Sequence, residues 1–155
     1  MTNICSEGFL RINHIWKRND KGEEYLTQFN VTVLNNQMLI DDIHNIFNDI
    51  AADTTADGKH FPINDIYFYS YRNVTGGTSL SMHGYGIACD INVTNNCYIN
   101  KFGKITVGKR WEPGSNVYSM PSDGIVVSAF KRHGWGWGGD YKSIKDYMHL
   151  SLTGE

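Results

Sequence analysis

The chain has 155 residues, the size of one ordinary domain and enough to bury a continuous core without disulfide staples. Hydrophobic residues make up 41% and charged residues 19%, and no apolar run approaches the ~18 residues of a membrane span, so a single soluble domain over 1–155 is expected, with no membrane span. A formal net charge of −2, with lysines and arginines scattered along the chain, argues against a nucleic-acid partner.

The first residues, Met1 to Gly8, have neither a basic start nor an apolar stretch and do not read as a secretory signal, so an exported protein would need a signal already removed or another route. Phe9 to Trp16, with Leu10, Ile12 and His14 on one parity, and Tyr25 to Leu34, with Tyr25, Phe29, Val31 and Val33 among its apolar residues, predict a hairpin. Its turn is the polar segment Arg18 to Glu24. Met38 to Ile50 changes to helical spacing, with Leu39, Ile43, Ile46, Phe47 and Ile50 on one face and Asp41, Asp42, Asn45 and Asp49 on the other. Ala52 to Lys59 reads as the loop that ends it.

Ile66 to Arg72 is aromatic and β-favouring and breaks at Gly76-Gly77, which predicts a strand delivering Arg72 to its end. Gly86 to Val93 predicts a further strand. Asn95 to Tyr118 shows little periodicity and reads as an irregular excursion with one short strand near Ile105. Pro121-Ser122-Asp123 supplies a helix start, Ile125, Val126, Ala129 and Phe130 its apolar face, and Gly134 its end. Trp135 to Asp140 reads as a glycine-rich aromatic loop, and Tyr147 to Leu152 as a closing strand. The sum is two helices and five or six short strands, an α+β domain on an antiparallel sheet.

Cys5, Cys89 and Cys97 form no Cys-x-x-Cys unit and read as reduced, with a Cys89–Cys97 bridge left open. The sequons at Asn30, Asn73 and Asn92 read as chance. No phosphate loop follows either glycine pair, and no Cys–His signature recommends thiol chemistry. His14, His44, His60 and His133 carry no assigned role.

His83 and Asp90 lie in the run Ser81 to Asp90, and Asp146-Tyr147-Met148-His149 lies near the C-terminus. Two imidazoles and one carboxylate make a three-ligand zinc set that leaves a fourth position for water, the pattern of catalytic zinc. A spare carboxylate beside such a site suits general-base hydrolysis. Asp146 and Asp90 are equally fit chemically as ligands.

The run Ser-x-His-x-x-Gly-x-Ala-x-Asp at 81–90, with Trp137-Gly138-Gly139 and Asp146-x-x-His149 after it, resembles the signature of the zinc D,D-carboxypeptidase and L-alanyl-D-glutamate endopeptidase family, peptidase M15 (VanY-like), over residues 66–152. The resemblance implies a Hedgehog/DD-peptidase-like α+β fold, a small antiparallel sheet with two main helices packed on it. It implies Zn2+ held by His83, Asp90 and His149, with Asp146 as catalytic base and Arg72 facing the scissile carbonyl. It further implies Ser81 as a substrate contact, with Tyr85, Trp135 and Trp137 walling the cleft. The chain looks most like the endolysin-type branch, which implies an L-Ala–D-Glu endopeptidase acting as a monomer on peptidoglycan stem peptides at the bacterial cell wall. A D-Ala-D-Ala carboxypeptidase and a non-catalytic zinc-containing binding domain are the alternatives. Cys89, in place of an aliphatic residue, and the ending His149-Leu150-Ser151-Leu152 depart from the family pattern.

Overall fold

The computed structural model describes residues 11–18, 24–32 and 37–154. They form an α+β fold, as the sequence predicts, with every strand pair antiparallel. Strands β1 (Arg11–Arg18) and β2 (Glu24–Thr32) make the expected hairpin, with a register shift between Ile15 and Trp16. Cys5, Phe9, Leu10, the turn residues 19–23, Val33 and Leu34 lie outside the described residues.

Helix α1 (Gln37–Ala52) buries Leu39, Ile43, Ile46, Phe47 and Ile50, the stripe read from the sequence. Strand β3 is only Ile66–Tyr67, shorter than expected, because the segment beyond it runs beside a 3-10 turn rather than a strand. Ser70 N–H donates to His83 O and Ser81 N–H to Arg72 O, so the chain is tied there without a ladder. The turn, Met82–Tyr85, ends at Gly86, whose φ of 69° is the left-handed conformation that glycine adopts without strain. That cap delays β4 to Ala88–Ile91, and Asn92, at φ 49°, closes it.

The segment read as an irregular excursion holds a hairpin of β5 (Tyr98–Ile99) and β6 (Ile105–Val107). Helix α2 spans Ile125–Arg132 and starts later than expected, because residues 121–124 form a turn closed by Gly124 N–H to Pro121 O. Its end is as predicted. Gly134 sits at φ 81°, Gly134 N–H reaches Lys131 O and Trp135 N–H reaches Phe130 O, the paired bonds of a Schellman cap.

The predicted glycine-rich loop is instead strand β7 (Gly136–Trp137) followed by a 3-10 turn, Gly138–Asp140. Strand β8 is Lys145–Asp146 and β9 is His149–Ser151, where one longer closing strand was expected. The division is physical. Strand β8 pairs with β5 in a sheet of order β6-β5-β8, whereas β9 lies in a sheet of order β3-β4-β9-β7. The chain changes sheets in the residues between Asp146 and His149.

Both helices pack on one core, in which Phe47 meets Phe130 edge to face with ring centroids 5.8 Å apart. The end of α2 is locked to α1 by polar contacts. His133 Nδ1 lies 2.8 Å from Asp42 Oδ1, its Nε2 lies 3.2 Å from Asp49 Oδ2, and Trp135 Nε1–H donates to Asp42 Oδ2 at 2.8 Å. Cys89 and Cys97 are both buried free thiols, so the bridge left open by the sequence is not formed.

Asn92 is wholly buried. Its Oδ1 accepts from Asn64 N–H at 2.7 Å, and its Nδ2 donates to Pro62 O and Tyr118 O at 2.9 and 3.0 Å. Asn92→Ala removes these bonds and puts a β-carbon without local hydrogen bonding in the left-handed region, so a loss of about 3 kcal/mol is expected in urea unfolding. Asn92→Gly loses the same bonds but not the conformational fit, and should be the milder change by about 1 kcal/mol.

Candidate metal centre

Three elements deliver the site. The β4–β9 register sets Asp90 opposite His149, and directly opposed residues of an antiparallel pair project from the same face. Their neighbours Cys89, Ile91 and Leu150 point the other way, into the core. The 3-10 turn brings His83 onto that face. Its backbone is held from both sides: its N–H donates to the Ser81 hydroxyl at 3.3 Å, and its carbonyl accepts from Ser70 and Gly86.

His83 Nε2, His149 Nδ1 and Asp90 Oδ1 form a nearly equilateral triangle. His83 Nε2 lies 3.2 Å from His149 Nδ1 and 3.1 Å from Asp90 Oδ1, and His149 Nδ1 lies 3.1 Å from the same oxygen. Among the described residues, His83, Asp90 and His149 are the group of His, Cys, Asp and Glu side chains whose ligand atoms converge in this way. Donor atoms of a tetrahedral zinc site, each 2.0–2.1 Å from the ion, stand roughly 3.3 Å apart, so the triangle has the size of one face of that tetrahedron.

The donor chemistry fits as well. His83 Nδ1 lies 2.7 Å from Phe68 O, where its N–H donates, and this leaves the Nε2 lone pair turned toward the triangle. A carboxylate oxygen and two imidazole nitrogens converging at such distances favour a cation among them. Burial pushes the Asp90 carboxyl up, but the hydrogen bonds and positive charge that protonated His149 and His83 supply to it when no metal is bound outweigh burial and bring its pKa down to about 2. Asp90 is therefore a carboxylate throughout the neutral range.

Asp146 stands beside this triangle and outside it. Burial, reinforced by the negative charge of Asp90, raises its pKa to about 6, against the opposing charges of His149, His83 and Arg72. Its Oδ1 is buried with no hydrogen-bond partner. Gly138 helps to seat it: a β-carbon there would come within 2.4 Å of Asp146 O, so only glycine lets β8 lie this close to the turn at 138–140.

The other residues named from the sequence divide. Arg72 is exposed, with one guanidinium nitrogen 3.4 Å from Asn73 O, and its charge reaches Asp146. Tyr85 is exposed at the end of the turn that carries His83. Ser81 is buried, and its hydroxyl caps that turn. Trp135 and Trp137, expected to wall the cleft, are instead core residues. Trp137 packs against Trp111 and Tyr147, and its indole N–H donates to Tyr147 O at 3.0 Å. It thereby pins the backbone between Asp146 and His149, an indirect role. Sequence reading also missed Phe68, because a main-chain carbonyl leaves no mark in residue type.

Residues 75–152 match the profile of a peptidase family described as D-alanyl-D-alanine carboxypeptidase. The match takes in His83, Asp90, Asp146 and His149. No solved structure matches the chain.

Two outcomes are expected. His83→Ala, Asp90→Ala and His149→Ala should each weaken zinc binding by more than the roughly 10–100-fold typical of losing a supporting contact, measured by chelator competition, whereas Asp146→Ala should keep it. In metal-stripped protein, Asp146 binds its proton more tightly when folded, at about 6, than at its ordinary value of 3.8, so folded stability is lost as pH rises through that window. Asp146→Asn should therefore be more stable than wild type by up to about 3 kcal/mol above pH ~6, with the difference vanishing toward pH ~4 in thermal melts.

Proposed function

This chain belongs to the M15 family of peptidases, which act on peptidoglycan, and we propose that it is a zinc-dependent hydrolase of stem-peptide amide bonds, cutting between L-Ala and D-Glu. The observation that carries this reading is the pairing of a zinc-sized triangle of donors with a buried carboxylate oxygen that has no partner of its own. A binding domain would have no use for that second carboxylate, whose burial costs stability.

In this reading His83, Asp90 and His149 hold the ion. Zinc bound there would act as a Lewis acid, polarising the scissile carbonyl and making the attacking water more acidic. Asp146 takes the proton from that water on its Oδ1 and hands it to the leaving amine nitrogen. Its pKa of about 6 suits both halves of that transfer, being low enough to be ionised at neutral pH and high enough to hold a proton in passing. Arg72, exposed and close enough for its charge to act on Asp146, directs its guanidinium to the oxygen that gains charge as the carbonyl is attacked. Tyr85 offers an exposed ring beside the metal-bearing turn as a wall for the peptide.

A D-Ala-D-Ala carboxypeptidase is the second reading, and the description of the matching family favours it. Digestion of purified peptidoglycan with zinc-loaded protein, followed by mass spectrometry of the new termini, decides between them. New amino-terminal D-Glu is expected; released D-Ala would establish the carboxypeptidase, and bound zinc without cleavage a binding domain. Asp146→Asn should keep zinc and lose at least about 100-fold in kcat, within the usual range for removing a general base. Arg72→Ala should lower kcat with little change in KM, the signature of a contact made in the transition state.

A further inference from the structure

The lysines and arginines are scattered in the sequence as a whole, but one structural element segregates them. Between Asp90 and Glu112 the chain has no acidic residue, while it carries Lys101, Lys104, Lys109 and Arg110. Every residue from 101 to 110 is exposed, and the segment contains the β5–β6 turn and all of β6. Phe102, at the turn, is 82% exposed, and Ile105 and Val107 on β6 are exposed as well.

This protrusion is built, not slack. Asn100 Oδ1 accepts from Phe102 N–H and Lys104 N–H at 3.0 and 3.1 Å, and Asn100 N–H donates to Lys104 O at 3.0 Å. Lys101 Nζ stands over the Phe102 ring, 5.2 Å from its centroid. At the base, Lys109 N–H donates to Thr94 O at 2.7 Å and fixes the returning strand to the body. Arg110 Nε lies 4.0 Å from Glu112 Oε1, but among the described residues no carboxylate forms an ion pair with Lys101, Lys104 or Lys109, and a fixed tip that holds an aromatic ring and such ammonium groups in water has the chemistry of a binding surface for a carboxylate-bearing partner.

We propose that the β5–β6 hairpin tethers the enzyme to peptidoglycan itself, through the free carboxylates of stem peptides and the apolar faces of the glycan sugars. The inference rests on the peptidoglycan reading above and extends it to a second, non-catalytic contact. Topology supplies the link to the site. Strand β5 is bonded to β8, with Tyr98 opposite Asp146, so β6 lies two strand spacings, roughly 10 Å, from the strand of the proposed base. A polymer whose amide bond occupies the metal site therefore has its neighbouring stems beside the hairpin. Carboxylates pair the lysines and sugar faces cover Phe102, so one polymer satisfies both parts of the surface.

The test uses full-length Asp146→Asn protein, whose binding to insoluble sacculi is read by co-sedimentation without any turnover. Binding is expected to weaken at high ionic strength and to fall roughly tenfold when Lys101→Glu, Lys104→Glu and Lys109→Glu are combined, and also to fall with Phe102→Ala. The same hairpin changes in the Asp146 protein should leave kcat/KM on a short soluble stem peptide unchanged, which also verifies folding, while slowing the clearing of sacculi. Retention unaffected by the hairpin changes would overturn the tether, as would equal loss on soluble peptide and sacculi. Binding lost when phosphate polymers are stripped from the sacculi, or directed to anionic vesicles instead, would also overturn it by assigning another ligand. If no stem peptide is cut at all, the proposed activity fails while co-sedimentation still decides the tether.

Discussion

Three lone-pair-bearing atoms held 3.1–3.2 Å apart are the constraint on which the rest of this site depends. Without a cation they compete for any proton between them, so the surrounding fold must hold them together at a cost. It does so with backbone. Asp90 and His149 cannot separate without breaking the β4–β9 ladder, and that ladder stands on the fully buried Cys89, Ile91 and Leu150. His83 cannot turn away without giving up the Phe68 carbonyl, and its main chain is fixed by bonds to Ser70, Ser81 and Gly86. A divalent ion bound there would turn this stored repulsion into binding energy, because ligands already in position lose little freedom on capturing it.

The second carboxylate follows from topology. Asp146 and His149 are separated by only two residues, yet they belong to different sheets, and the change of sheet turns a short sequence spacing into two distinct positions around one point. Had the chain continued as one strand, residues at this spacing would project from opposite faces. Trp137 holds the crossing in place through the Tyr147 carbonyl, and the near-parallel stack of Trp111 on Tyr147, with centroids 4.2 Å apart, backs it.

The sequence carried the α1 stripe, the end of α2 at Gly134 and the residues that converge on the triangle, because each rests on a local or chemical regularity: helical period, the left-handed cap, ligand type. It misplaced what depends on partners distant in sequence. Ile66 to Arg72 has the composition of one long strand, but only Ile66 and Tyr67 meet a strand, and the rest meets a turn. The glycines after Trp135 read as part of a loop, yet a β-carbon at Gly136 would lie 2.3 Å from Gly154 Cα, so that glycine marks close packing of two backbone segments. Trp137 is the same error in side-chain form. Expected at a cleft wall, it is buried by neighbours that its flanking glycines admit.

Why one carboxylate should bind the ion and the other remain free can be argued from charge. A second anionic ligand would bring a divalent site to neutrality and weaken its pull on a carbonyl or a water. Asp90, flanked by both imidazoles, is held as an anion and gains from direct contact with a cation. Asp146, half-buried, repelled by Asp90 and with its buried Oδ1 unbonded, has an environment that favours taking up a proton. An Asp can serve only if its backbone stands nearer, and the absence of a side chain at Gly138 is what permits β8 to approach. Backbone proximity thus compensates for a short side chain, and it adds the desolvation that brings the pKa of Asp146 toward the range where a proton can be both taken and given.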